Sequence, residues 1–201
     1  PTVREITLNG RSLDPATAYA DSRIALDDLA ETNTLVVTAD CAYSNTGEGL
    51  HRFVDPVDGE VYLYSQFEVP DARRVFPCFE QPDLKATFTF TVTAPGHWQV
   101  VSNSPTPEPS PVDGDDSAAR WAFEPTPQLS TYVTAIVAGP YHVVRSEYEG
   151  KEGTIPLGLF CRVSLAEHLD AAGRFDVTRR GFGDLGDVLG LAYPFAMYEQ
   201  A

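Results

Sequence analysis

The sequence is poor in most of the residues that reactive or membrane-bound chains concentrate. Of its 201 residues three are cysteine, Cys41, Cys78 and Cys161. Odd in number, widely spaced and without a Cys-x-x-Cys pair, they indicate neither a disulfide framework nor a zinc knuckle. That scarcity fits a reducing compartment, and the expected location is cytoplasmic. Only Lys85 and Lys151 are lysines, and 14 basic residues stand against 29 acidic ones, a formal net charge of -15. Such a charge repels nucleic acid and anionic lipid, so neither is an expected partner, whereas a cationic ligand is favoured. No stretch of about 18 apolar residues is present, and Pro1 opens onto a strand-like pattern instead of a signal peptide, so no membrane association is expected. The missing initial Met is compatible with a trimmed signal or a missing upstream segment.

The usual signatures of chemistry are also absent. His51, His97, His142 and His168 are scattered, and none stands four residues from another histidine as a helical metal pair requires. His97 and His142 lie beside strand-like runs and are expected to be hydrogen-bonded structural histidines. There is no Gly-x-Ser-x-Gly elbow, and no Gly-rich loop opens a helix after a strand. Cys78, between Pro77 and Phe79, sits in an apolar setting that would raise its pKa, and it reads as a packed thiol before a nucleophile. The acidic Asp113-Gly114-Asp115-Asp116 tip resembles part of a calcium loop, but no bidentate Glu follows at the required spacing.

What the sequence does contain is a dense series of short strand patterns. At 43% hydrophobic the chain can bury a real core. Thr2 to Leu8 is strand-like and runs into Asn9-Gly10, a strong hairpin-turn signal because both residues tolerate positive φ. Further strands are expected at Thr34 to Asp40, Val61 to Phe67, Thr87 to Thr93, Trp98 to Ser102, Arg120 to Phe123, Tyr132 to Val137, Tyr141 to Glu147 and Ile155 to Cys161. The clearest is Thr87 to Thr93, whose alternation puts Phe88, Phe90 and Val92 on one face and four threonines on the other. Pro105 to Ala119, with four prolines, reads as a solvated hairpin excursion. Without intervening helical patterns, these strands predict a mainly β fold, an antiparallel β-sandwich, and not a βαβ arrangement. After Cys161 the pattern turns helical. Ser164 and Glu167 form a capping-box signature, Leu165, Leu169, Ala172, Phe175 and Val177 follow helical spacing, and five glycines up to Gly190 argue against one continuous helix.

One segment mixes aromatics with paired charges, Tyr62 to Phe88. Strand alternation places Tyr64, Gln66 and Glu68 on one side and Leu63, Ser65 and Phe67 on the other. On composition alone Glu68 is a solvated acid at a strand end, with Arg73 or Arg74 as its surface partner.

The segment also carries a long motif. Ser65-Gln66-Phe67-Glu68, then Ala72-Arg73-Arg74-Val75-Phe76-Pro77-Cys78-Phe79-Glu80-Gln81-Pro82, then Lys85-Ala86-Thr87-Phe88, resembles the first domain of aminopeptidase N-type (gluzincin) zinc metallopeptidases. The resemblance continues through Val101-Ser102-Asn103-Ser104 and Leu129-Ser130-Thr131-Tyr132, and ends at Tyr193-Pro194-Phe195-Ala196-Met197-Tyr198. It implies the saddle-like antiparallel β-domain of that family over residues 1–163, with its first strands missing, and the truncated helical start of the catalytic domain over 164–201. It further implies a parent enzyme that releases N-terminal amino acids from peptides, using zinc to activate water. By the same resemblance the zinc ligands lie beyond Ala201, so this piece alone is expected to be inactive, with no metal of its own and the catalytic domain as partner.

The resemblance implies roles for two residues. Glu68 binds the free α-amino group of the peptide, so that only the first peptide bond reaches the reactive centre. Gln66 lines the pocket for the first side chain, where it can donate or accept. Gln81 for Glu and Ser65 for Thr depart from the family pattern outside the amine-binding role. Two other readings stay open: a catalytically dead scaffold module with the same fold, and a bifunctional leukotriene hydrolase, whose Gln-x-Gln wall Glu68 argues against. The shortened front would leave a sandwich edge exposed to self-association.

Overall fold

A computed structural model describes residues 1–150 and 153–201. The strands in chain order are Thr2–Leu8 (β1), Arg11–Leu13 (β2), Tyr19–Ala20 (β3), Arg23–Ile24 (β4), Leu35–Asp40 (β5), Gly49–Val54 (β6), Val61–Gln66 (β7), Thr91–Pro95 (β8), Gln99–Val101 (β9), Ser110–Val112 (β10), Asp115–Ala122 (β11), Val137–Gly139 (β12), His142–Gly150 (β13), Gly153–Cys161 (β14) and Tyr198–Gln200 (β15). A short helix, Pro15–Ala18 (α1), and a long one, Ala171–Leu189 (α2), complete the regular structure with three 3-10 turns. The chain is mainly β, as the strand patterns predict.

Two sheets face each other to make the sandwich. One has the order β6-β7-β12-β9, the other β10-β11-β8. Leu63, Val100 and Ala138 of the first meet Trp121 and Phe123 of the second, with Phe90, Val92 and Leu50 closing the cluster. These residues come from alternate positions of their strands, which is why one face of each strand reads as apolar. Asn9 and Gly10 take φ of 52° and 80° and turn β1 into β2, with Leu8 paired to Arg11. The hairpin signal is borne out, as is the exposure pattern of Thr87 to Thr93, where Phe88, Phe90 and Val92 are half-buried and the threonines exposed.

Several expectations are corrected. Only Thr91–Pro95 forms a ladder with β11, while residues 86–90 are held by separate bonds, Thr126 N–H to Phe88 O at 2.9 Å and Phe123 N–H to Phe90 O at 2.9 Å. Pro125 and Pro127 opposite lack the N–H groups that would continue the ladder. Tyr132 to Val137 is not a strand but a 3-10 turn at Thr131–Val133 followed by an extended link. There the Thr134 hydroxyl donates to Thr131 O at 2.7 Å, and the Asn103 side chain serves both Val133 O and Ala135 N–H in place of a strand partner. Pro105 to Ala119 does contain a hairpin, more regular than a solvated excursion, because β10 and β11 pair from Ser110↔Arg120 to Val112↔Asp115. The strand Gly49–Val54, carrying His51 and Arg52 on its edge, had no clear sequence signature.

The capping box at Ser164 is not formed. Residues Val163–His168 are a 3-10 turn without a side-chain cap, and α2 starts instead at Asp170, whose carboxylate accepts Gly173 N–H at 3.0 Å. A side chain at 173 would collide with that carboxylate, so glycine here assists the helix start. The helix then runs unbroken through Gly181, Gly183 and Gly186 to Gly190, left-handed at φ 65°. Its Phe175 packs on Leu157 and Leu159 of β14, with Phe182 stacked on Tyr148 at 5.2 Å. After α2 the chain adds β15 parallel to β14, pairing Leu157 with Tyr198. An otherwise antiparallel fold thus contains one β-α-β unit, contrary to expectation.

The joint between sandwich and helical segment is polar. Asp55, 1% exposed at the β6–β7 turn, accepts Val57 N–H at 2.8 Å, Arg162 Nη1 at 2.8 Å and the Ser164 hydroxyl at 2.5 Å. Arg162 also lies 4.7 Å over the Phe53 ring. Tyr62 donates to Asp58 at 2.8 Å and accepts Val163 N–H at 3.1 Å. The Ser164 hydroxyl bond, then the Val57 N–H and the Arg162 charge, outweigh burial and hold the Asp55 carboxyl below its usual range.

Replacing Trp121, 3% exposed at the sandwich centre, by Ala is expected to cost about 3–5 kcal/mol in urea unfolding. The depressed Asp55 pKa stabilises the fold above the ordinary carboxylate value of 3.8, and that contribution is lost as pH falls through the lower folded value. Asp55→Asn is therefore expected to lower the urea midpoint at pH 7 and to flatten the loss of stability below about pH 4. A stability deficit identical at pH 7 and pH 3 would contradict the assignment.

Candidate functional site

The candidate site is the end of β7 and the turn that follows. Strand alternation continues through it: Leu63 and Phe67 are buried and Ser65 half-buried, while Tyr64, Gln66 and Glu68 are exposed on the other side. Ser65 fixes the strand end against the 3-10 turn region, its N–H donating to Ile136 O at 2.9 Å and its hydroxyl accepting Ile136 N–H at 2.8 Å. A threonine hydroxyl would serve equally, which explains why Ser65 is tolerated.

Below the turn, aromatic packing sets the backbone. Phe67, 2% exposed, meets Phe76 edge-on at 5.8 Å, and Phe76 leads to Phe88 at 6.1 Å. Ala72 is completely buried at the head of the 3-10 turn Ala72–Arg74, where nothing larger has room. Glu80 then ties three elements together: its Oε2 accepts Arg73 N–H at 2.8 Å and its Oε1 the Thr131 hydroxyl at 3.3 Å, with the Cys78 thiol 3.7 Å away. Ser130 donates to Pro82 O, closing the same segment on the sandwich. Sequence reasoning assigned Glu80 no such part, although its place in the long motif could have flagged it.

The two predicted site residues lie side by side. Gln66 Oε1 accepts Glu68 N–H at 2.6 Å. The Glu68 carboxylate projects into solvent and, among the described residues, makes no ion pair. The surface-partner reading is corrected here: Arg74 is taken by Asp71 at 2.5 Å and Glu48 at 3.5 Å, and Arg73 contributes its backbone to Glu80. Gly49, at φ 65°, lets the Arg74 stem pass within about 3.1 Å of where a Cβ would stand, which holds that cation toward β6 and away from Glu68.

The histidines play other parts than expected. His51 Nδ1 accepts Gly47 N–H at 3.0 Å and its ring tilts over Tyr64 at 4.8 Å. His97 and His142 are exposed, and among the described residues neither makes a hydrogen bond, so their structural reading is corrected. Among the described residues no group of three or more His, Cys, Asp or Glu side chains could hold a metal ion. The residues present therefore do not fit the zinc that the resemblance implies. No helix among them is long and apolar enough to cross a membrane. A cavity of about 290 Å³ lies elsewhere, between Val101–Asn103, Phe160 and Tyr193–Ala201, and does not include Gln66 or Glu68. The site is an open wall.

Residues 5–133 match the family model of the peptidase M1 N-terminal domain. The chain is 62% identical over all its 201 residues to aminopeptidase N of Streptomyces lividans, covering 23% of that protein. It is 36% identical over 184 residues to aminopeptidase N of Acetobacter pasteurianus, covering 81% of this chain and 50% of that one. Among solved structures, Legionella pneumophila aminopeptidase A in complex with aspartic acid superposes with a TM-score of 0.81 at 19% identity, covering 98% of this chain and 23% of that one. The chain thus spans about a quarter to a half of the length of these relatives.

Burial pushes the Cys78 thiol up to about 12, with the Glu80 carboxylate adding to it, and raises Cys161 as well. With Cys41 exposed, iodoacetamide at pH 8 is expected to label Cys41 in the folded chain, and Cys78 and Cys161 only on unfolding. Mass mapping of the alkylated peptides checks the order, and early labelling of Cys78 would contradict its packed setting.

Proposed function

The chain belongs to the peptidase M1 N-terminal domain family, and from that premise we propose that it is the substrate-anchoring β-domain of a zinc aminopeptidase that releases N-terminal residues from peptides. The observation that carries the proposal is the Glu68 carboxylate, projected from a rigid wall with every nearby arginine engaged elsewhere. A free α-ammonium is the complementary charge. Holding it there presents the bond after the first residue to catalytic groups supplied by the rest of the protein, and disfavours internal cleavage by geometry.

Zinc and the groups that hold it belong, in this proposal, to the part of the protein that the relatives have beyond the matched quarter to half. The 201 residues alone are then inactive, and the division at 163/164 separates the anchoring domain from the start of the catalytic one. Support for that division is the Asp55–Arg162–Ser164 cluster, which sits at the joint. A cytoplasmic location accords with three free thiols.

The test uses the complete protein and chromogenic aminoacyl amides. Glu68→Ala is expected to lose about 2–5 kcal/mol of substrate binding, because the closed site would then bury an ammonium without its partner, and KM rises at least roughly thirtyfold. An unchanged KM would overturn the anchoring role, and failure of the unaltered protein to release amino acids would overturn the activity.

A further inference from the structure

We propose that Gln66 is the positioning residue of the anchor and that it offers the substrate a hydrogen-bond donor only. This rests on the anchoring role of Glu68. Gln66 is the last residue of β7, opposite Gly49 in the ladder, and its Oε1 accepts Glu68 N–H at 2.6 Å. A backbone N–H can be met only by an acceptor, so chemistry fixes which end of the side-chain amide turns inward. Oε1 is committed to the turn. Nε2 keeps both hydrogens, without a partner among the described residues, and Gln66 is exposed on the same side as Glu68.

The bond closes a small ring around Phe67, of the kind by which polar side chains set the backbone two residues on. Phe67 is clamped from within by Phe76, and Asp71 N–H returns to Phe67 O at 3.1 Å to shape the outgoing turn. The direction of the Glu68 side chain is therefore set by its own backbone N–H, by Gln66 and by a buried ring, with no contribution from the carboxylate. Both carboxylate oxygens stay available to an ammonium. An anchor oriented through its charge would have to surrender that contact to bind.

An amide NH2 beside the anchor repels an ammonium and pairs with carbonyl, carboxylate or hydroxyl oxygens. Gln66 is accordingly not a second amine ligand. It selects first residues whose side chains, or whose carbonyl, bring an acceptor to Nε2.

Two variants of the complete protein separate the claims. Hydrogen exchange at the Glu68 amide, resolved by fragmentation mass spectrometry, is expected to quicken about tenfold in Gln66→Leu, the worth of one ordinary hydrogen bond. The Ser65 amide, bonded to Ile136 O, is unaffected. Gln66→Glu keeps an acceptor oxygen and so keeps the protection. In kinetics, Gln66→Leu raises KM with a smaller change in kcat, and Gln66→Glu moves kcat/KM about tenfold from acidic toward basic first residues, the donor having become an acceptor. Unchanged exchange in Gln66→Leu overturns the positioning role, and an unshifted preference in Gln66→Glu overturns the donor role. If exchange responds as expected while Glu68→Ala leaves KM unchanged, the positioning geometry stands and the anchoring role falls.

Discussion

The carboxylate of Asp55 is the point on which the arrangement turns. A charge 1% exposed is costly unless every lone pair is met, and here the partners come from far apart in sequence: Val57 locally, Arg162 and Ser164 more than a hundred residues on. Because the partners are charged or hydroxylic, the cluster accepts one geometry. It joins the β6–β7 hairpin, whose second strand carries Gln66 and Glu68, to the place where β14 hands over to the helical segment. Tyr62 repeats the connection next door through Asp58 and Val163 N–H. Tyr62 also packs edge-on against Tyr141 at 5.0 Å, which in turn meets Phe160 of β14 at 6.3 Å. The strand bearing the anchor is thus held at one end by buried polar contacts and at the other by the aromatic series from Phe67 to Phe88.

This division of labour accounts for the character of the wall. Apolar packing below the turn decides where the backbone runs, and Glu80 ties that backbone to Arg73 and Thr131. The outer face then needs no structural charge pairs of its own. Asp71 and Glu48 draw Arg74 aside, so a wall rich in arginine in its sequence presents a bare carboxylate. With a net charge of -15 on the chain, the long-range field favours an approaching ammonium as well.

Much of this was legible beforehand, for identifiable reasons. Period-two alternation is a local property, so the faces of Thr87 to Thr93 and of Leu63 to Glu68 could be read directly, and Asn9-Gly10 announced its turn through backbone preference alone. What misled was polar chemistry with two possible partners. Ser164 has the spacing of a capping residue, yet its hydroxyl is spent on Asp55, a residue no local window contains. Thr131 and Thr134 look like strand formers, yet Thr134 satisfies a nearby carbonyl and Asn103 replaces a strand neighbour. The glycines of α2 lower helix propensity, yet Phe175 and Phe182 packed on β14 and β13 outweigh them, and Gly173 makes room for the Asp170 cap. At the site, the exposure of Gln66 and Glu68 followed from alternation. The bond between them, and the diversion of Arg74, depended on Gly49 and Glu48 from a strand and turn that the sequence pattern did not reveal.

The β-α-β unit at the end of the chain has a bearing on the order of events in folding. Antiparallel hairpins such as β1–β2 or β13–β14 can zip as soon as their turns exist. A parallel partner cannot: β15 reaches β14 only after the intervening helix has been laid across the sheet, and closing so long a loop is paid in chain entropy before any bond rewards it. Until then the outer edge of β14 is an open row of amides and carbonyls beside Gly158, the gap into which the Glu199 carboxylate settles against Arg145 at 2.5 Å. During synthesis the sandwich and its anchor can therefore be complete while this seam is still unsewn, and sealing it is the step that commits the β-domain to whatever chain comes next.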